Sequence, residues 1–558
     1  MLTERTSSGG AYGHCQPSAN SPAPLVLIGL DGASFEVMDD LVADGRLPHI
    51  ESLIERGTRA SLVSSLPLGP SSAWVTLVSG KNPGAHGIYA CRHRDGYVER
   101  DSSSLDICVE TLWDIVSAAG LRVAVAGVPG TYPPKPVNGI MVSGTPAPRG
   151  LHVHPAEDAR DLLRAAPGYP FGASLREWGT VFRGGGPRAI ARHLALSFDH
   201  SLGAALHLLR RETWDLFVWA FGELDHAQRF LPWPENGTGA AAAERRRLLQ
   251  RCYEKADRVV GRLVSAAGPR ATVALISTFG LGPTRGAFYI NRWLADQGWL
   301  AVRPNVRTRL RTARATVDEA LSALGFDLGG LVGALPVWVP RRVNPPTWNL
   351  IDWRRTRAFA ANADTCGIRV NLRGREPQGI VEPGAEYEET RAALIASLKQ
   401  VRDPDTGGSM VSWAGRREEI FSGPRLDDAP DVIYATRGNA RPASDRLDVA
   451  PAADGEALDR RGGPRHAGVF LLAGPAARRG AVVSECRIVD VAPTLLRILG
   501  APIPGDMEGE MLTGVLDAGY LDARRTKPTA GPAPDQTAEY SPEEQRAIAD
   551  RLRNHGCM

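Results

Sequence analysis

Leu25-Val-Leu-Ile-Gly-Leu-Asp-Gly32 decides the fold. A continuous apolar run that stops at an acidic residue is the pattern of a strand buried on both faces with a polar group at its carboxyl end. The pattern recurs. Arg122-Val-Ala-Val-Ala-Gly-Val128 leads into a Pro/Gly loop, Asp215-Leu-Phe-Val-Trp-Ala-Phe221 into Gly-Glu-Leu-Asp225, and Ala271-Thr-Val-Ala-Leu-Ile-Ser277 into Thr278-Phe279-Gly280. Helical stretches at 112–119 and 240–267 lie between these runs, so the order strand, loop, helix repeats. That order implies an α/β fold with a mostly parallel sheet and helices on both faces. Sheets of this kind bind ligands beyond the carboxyl ends of their strands, which makes the residues after each run the ones to test.

The remaining chain fits one large core with an insertion. Residues 1–24 read as a flexible tail rich in Ser, Gly, Ala and Pro, and 25–515 as the core. Residues 301–350, Arg-rich and then Gly-, Leu- and Pro-rich, read as an inserted cap. Core-like text resumes at Ile368-Arg-Val-Asn-Leu372, a helix at 386–401 and strands at 431–435 and 468–472. Residues 516–558 read as a linker followed by a tail helix at 542–553.

Composition excludes several classes. The 558 residues carry 65 Lys+Arg against 62 Asp+Glu, a formal charge of +3, which is far from the basic excess of a nucleic-acid binder. No stretch approaches the roughly 18 apolar residues of a membrane span. No apolar run precedes Leu25 to form a secretory signal, so cytoplasm is the expected location. The seven cysteines are scattered without a CxxC pair, against both a disulfide framework and a zinc finger. Only Lys81, Lys135, Lys255, Lys399 and Lys527 are lysines, so arginine supplies nearly all the positive charge. That excess is compositional unless arginines cluster at one place, where they would favour anionic ligands.

Ile28-Gly-Leu-Asp-Gly32, Leu47-Pro-His-Ile50 and Ser72-Ala-Trp-Val-Thr-Leu-Val-Ser-Gly-Lys-Asn-Pro-Gly-Ala-His-Gly-Ile88 resemble the opening of the type I phosphodiesterase/nucleotide pyrophosphatase family of the alkaline phosphatase superfamily. The likeness continues through Thr111-Leu-Trp-Asp114, Asn291-Arg-Trp-Leu294, Gly374-Arg-Glu-Pro-Gln-Gly-Ile-Val381, Arg402-Asp-Pro-Asp-Thr-Gly407 and Asp490-Val-Ala-Pro-Thr-Leu-Leu496. It implies an alkaline-phosphatase-like three-layer sandwich. It also implies phosphoester hydrolysis with two divalent metals, zinc or manganese, held by six Asp and His side chains.

Those positions are only partly kept. Asp31 matches the first ligand, although an Asp there also suits a helix cap. The nucleophile position falls on Pro70, leaving Ser71 and Ser72 as candidate nucleophiles or ordinary N-caps. Asp225 matches a second ligand, but the His expected four residues later is Arg229. Thr278 and Phe279 stand where the family has Asp-His, and neither replaces those ligands. The last His position is Pro464, with His466 two residues off register as a possible substitute. His226 sits beside Asp225, where adjacent side chains are expected to diverge.

The expectation is a superfamily member with a largely lost two-metal site that binds or acts on an anionic small molecule. Arg229 would either grip that anion or neutralise Asp31 or Asp225. The alternative is a hydrolase of phosphate or sulfate esters using a single metal on Asp31, Asp225, His226 and His466.

Overall fold

The four runs picked out above become four neighbouring strands. In the computed structural model the described residues are 23–148, 150–167, 186–231, 239–303, 347–360, 366–447, 453–454 and 462–523. The central sheet is built from β1 (Leu25–Leu30), β2 (Gly57–Val63), β3 (Val123–Ala126), β4 (Gly139–Val142), β5 (Val153–His154), β6 (Leu216–Phe221), β7 (Thr272–Ser277), β8 (Ala467–Ala473) and β9 (Ala481–Arg487). Their order is β9-β2-β8-β7-β1-β6-β3-β4-β5, and the strands are parallel except for β8 and β5. The run that opened the sequence therefore lies in the middle, between β7 and β6.

Its side chains alternate between two hydrophobic layers, as a strand buried on both faces requires. Val26, Ile28 and Leu30 join the cluster that holds α1 (Phe35–Ala43), α2 (Pro48–Glu55) and two long helices described below. Leu25 and Leu27 face the other layer, formed by α3 (Pro70–Ser79), α4 (Leu112–Ala118) and the late helix Val491–Leu499. This is the expected three-layer α/β sandwich. None of the described helices is long and apolar enough to cross a membrane.

Gly29 faces α3 and lets it approach. A Cβ at this position would lie 2.5 Å from Cζ2 of Trp74 and 3.2 Å from Cα of Ala220, so only a bare backbone accommodates the indole. Trp74 is fully buried. Its seat fixes how close α3 comes to the end of β1.

The stretches at 368–372 and 431–435 do not rejoin the central sheet. Ala358–Ala360, Gly367–Val370, Val432–Thr436 and Val411–Arg416 form a separate four-stranded antiparallel sheet covered by helix Ala385–Lys399, with a hydrophobic cluster of its own. Short apolar runs do not encode which sheet they will join, because pairing partners are distant in sequence. Arg375, from the Gly374–Val381 motif, clamps the fully buried Asp431 at 2.7 and 2.6 Å, and Tyr387 Oη donates to the same carboxylate at 2.6 Å. That motif thus holds the second sheet together. Residues 304–346 of the expected cap, 1–22 of the tail and the expected helix at 542–553 lie outside the described residues.

Replacing Gly29 with Ala overpacks the Trp74 seat. The Gly29→Ala variant is expected to lose about 1–3 kcal/mol in urea unfolding. An unchanged midpoint would show that the helix yields without cost.

Candidate active site at the strand ends

Asp31 directly follows β1, and Gly32 makes the turn beyond it. Gly32 has φ of +86°, and a Cβ there would lie 2.8 Å from Cα of Asp225, so glycine is needed both for the backbone conformation and for the close approach. Asp225 lies in the first turn of α5 (Glu223–Phe230). That helix packs between the sheet and the two long helices, α6 (Ala240–Ala267) and the helix Gly186–Arg211. Two carboxylates expected as metal ligands are therefore buried side by side, each at most 5% exposed.

Each carboxylate has protein partners. Both oxygens of Asp31 accept from Trp74 Nε1 at 2.9 Å. Burial raises its carboxyl from 3.8 to about 7; the neighbouring Asp225 charge pushes the same way, while Trp74, Thr278 and Arg229 oppose the rise. Asp225 is gripped by Arg229 one turn on, with Nε 2.8 Å from Oδ2 and Nη2 2.9 Å from Oδ1. Burial alone would raise Asp225, but the Arg229 guanidinium, with His226 beside it, holds the carboxyl well below the usual range. His226 Nδ1 lies 3.5 Å from Asp225 Oδ2, so these adjacent side chains meet where they were expected to diverge.

Thr278 and Phe279 follow β7 and are fully buried, Phe279 within the α3-side hydrophobic layer. The chain then forms Gly280–Pro283, which pairs with Gly462–Arg465 as an antiparallel ribbon. The ribbon closes on α5: a Cβ on Gly462 would lie 2.3 Å from the Gln228 carbonyl oxygen, while Gln228 Nε2 donates to the Gly32 carbonyl. Pro464 lies within this ribbon opposite Leu281. The two glycine-rich stretches were visible in the sequence, but their pairing across nearly two hundred residues was not.

The other candidates separate. Ser71 and Ser72 are buried in the first turn of α3, but neither caps it: Gly69 holds the N-cap with Pro70 next. The Ser72 hydroxyl makes no hydrogen bond among the described residues. Ser34, not Asp31, occupies the N-cap of α1, so the capping alternative for Asp31 does not hold. His466 is exposed, and its carbonyl accepts from Ser64 N–H at 2.9 Å. Among the described residues no group of three His, Cys, Asp or Glu side chains that could hold a metal comes together.

Two polar residues of the motifs quoted from the sequence, His86 and Asn291, are structural. His86 accepts from Ile88 N–H through Nδ1 at 3.1 Å and places Nε2 2.9 Å from Thr76 Oγ1, and burial lowers its pKa to about 3, which keeps it neutral. Asn291 bridges to the second sheet through Ala360 N–H and the Asp445 carbonyl. Glu223, which was not singled out in the sequence, is buried and raised by that burial, with Ser197 Oγ donating to it at 2.8 Å.

The sequence model of the type I phosphodiesterase/nucleotide pyrophosphatase family matches residues 25–449. The chain belongs to that family. Similar solved structures include murine ectonucleotide pyrophosphatase/phosphodiesterase 5, which is 11% identical over 88% of this chain and 100% of its own, with a TM-score of 0.48. Phosphonoacetate hydrolase from Sinorhizobium meliloti, in complex with phosphonoformate, is 14% identical over 86% of this chain and 96% of its own, with a TM-score of 0.49. No curated protein matches the chain.

In this phosphodiesterase-family protein the folded state raises the Asp31 carboxyl above its unfolded value. Its contribution to stability is therefore complete below about 3.8 and is lost as pH rises through about 7. Removing the charge with Asp31→Asn should leave the variant about 1–3 kcal/mol better placed against the parent at pH 8 than at pH 5. Urea unfolding at both pH values measures this. A relative loss at pH 8 would mean that a cation holds the carboxylate ionised.

Proposed function

We propose that this family member has lost two-metal phosphoester hydrolysis and binds or acts on a small anionic molecule by other chemistry. The observation that carries the reading is the fork of Arg229 on both oxygens of Asp225. A carboxylate that ligates zinc presents an oxygen lone pair to the ion at about 2.0–2.2 Å. Here a guanidinium spans both oxygens, and its fixed positive charge opposes a divalent cation at the same place.

The neighbouring positions support the same reading. Phe279 brings no donor atom to the end of β7, and Asp31 is engaged by Trp74 and raised towards neutrality, which weakens it as an anionic ligand. The donor set does not fit a pair of metals. The anionic class of ligand rests on family membership and on the first turn of α3, whose amide end favours negative charge.

Turnover of p-nitrophenyl phosphate and bis(p-nitrophenyl) phosphate with added zinc or manganese tests the proposal. No rate above the blank is expected. In Arg229→His/Thr278→Asp/Phe279→His, divalent-metal affinity should rise at least tenfold. Strong metal-dependent turnover in the parent that disappears in Ser71→Ala would instead support a single-metal hydrolase.

A further inference from the structure

The helix Gly186–Arg211 and α6 pack along a shared seam. Arg188 crosses it to Glu244 near the start of both helices, and Lys255 crosses to Asp199 near their middles. A groove of about 700 Å³ opens at the Arg188–Glu244 pair, which forms part of its lining together with Arg192, Arg247 and Arg251, and Leu248 and Cys252 are among its apolar lining. None of these three arginines meets a carboxylate among the described residues; Arg247 Nε only reaches the Ala243 carbonyl at 3.4 Å.

The one acid in the groove's lining, Glu244, is taken by Arg188. Glu254 is held by Arg46, Asp257 accepts from Ile50 N–H at 2.8 Å, and Asp199 pairs with Lys255. Arg247 and Arg251 are four residues apart on one face of α6, where like charges repel modestly, and Arg192 faces the same groove from the other helix. The arginine excess, compositional elsewhere, is here a cluster.

We infer that this groove is a binding site for a small, multiply charged phosphate-bearing anion. Guanidinium forks match phosphate oxygens in paired hydrogen bonds, and the groove has the volume of a small-molecule site. Three cations in a concavity suit a compact anion, whereas a nucleic-acid backbone calls for a long basic row. The site shares no residue with the strand ends, so it stands or falls apart from the chemistry at Asp31.

Calorimetric titration of the full chain with inorganic tripolyphosphate tests this. Saturable one-to-one binding that weakens as salt rises from 50 to 200 mM is expected. Arg192→Ala/Arg247→Ala/Arg251→Ala should weaken it at least tenfold with an unchanged circular dichroism spectrum, and Arg373→Ala, on the second sheet's side of the molecule, should not. If the triple variant fails to fold, Arg251→Ala alone should weaken binding at least threefold. Absence of saturable binding in the parent, or equal affinity in the variants, overturns the site. Co-sedimentation with phosphatidylserine vesicles without tripolyphosphate binding also overturns it, since the basic face would then serve a lipid surface.

Discussion

Two carboxylates buried against each other need a counter-charge, and the rest of the strand-end structure depends on how that need is met. Asp31 and Asp225 are brought together by Gly32, whose missing side chain lets the first turn of α5 touch the end of β1. Ionising both in a dry site without compensation would cost several kcal/mol. Here Arg229 neutralises Asp225 in two parallel hydrogen bonds, while burial shifts Asp31 towards protonation against the opposing hydrogen bond from Trp74 N–H. On the proposed reading one fixed cation and one proton stand where the family uses metal ions.

The framework around that pair explains why the fold keeps the family's shape. Gly29 seats Trp74, Trp74 reaches Asp31, and Asp31 closes the strand at the centre of the sheet. Each of these contacts is steric or hydrogen-bonded and requires no metal. The motifs farther along the chain, Arg375 on Asp431 and Asn291 on Ala360, secure the second sheet. These motif residues hold the architecture through contacts of their own, whatever the chemistry at the strand ends.

Much of this was legible from the sequence because the determinants are local. A both-faces-buried strand is an unbroken apolar run, and the residue after it marks the strand end, so Asp31, Asp225, Thr278 and Phe279 could be located by counting. The Asp225–Arg229 spacing of four residues already placed both groups on one side of a helix, and the structure adds the fork of Arg229 on the Asp225 carboxylate. What stayed hidden is non-local: the separate sheet formed by 358–436 and the ribbon between 280–283 and 462–465. His226 was misjudged because adjacency in sequence does not fix side-chain direction at a helix start. The capping expectations for Asp31, Ser71 and Ser72 failed for a similar reason: Ser34 and Gly69 took the caps one turn or less away.

The most direct measurement is the metal content of the full chain, expressed with zinc and manganese supplied and purified without chelator, by mass spectrometry of the digested protein. The account predicts less than one equivalent of divalent metal after dialysis and a thermal midpoint unaffected by EDTA. Two tightly held equivalents, with a midpoint that falls when they are removed, would contradict it.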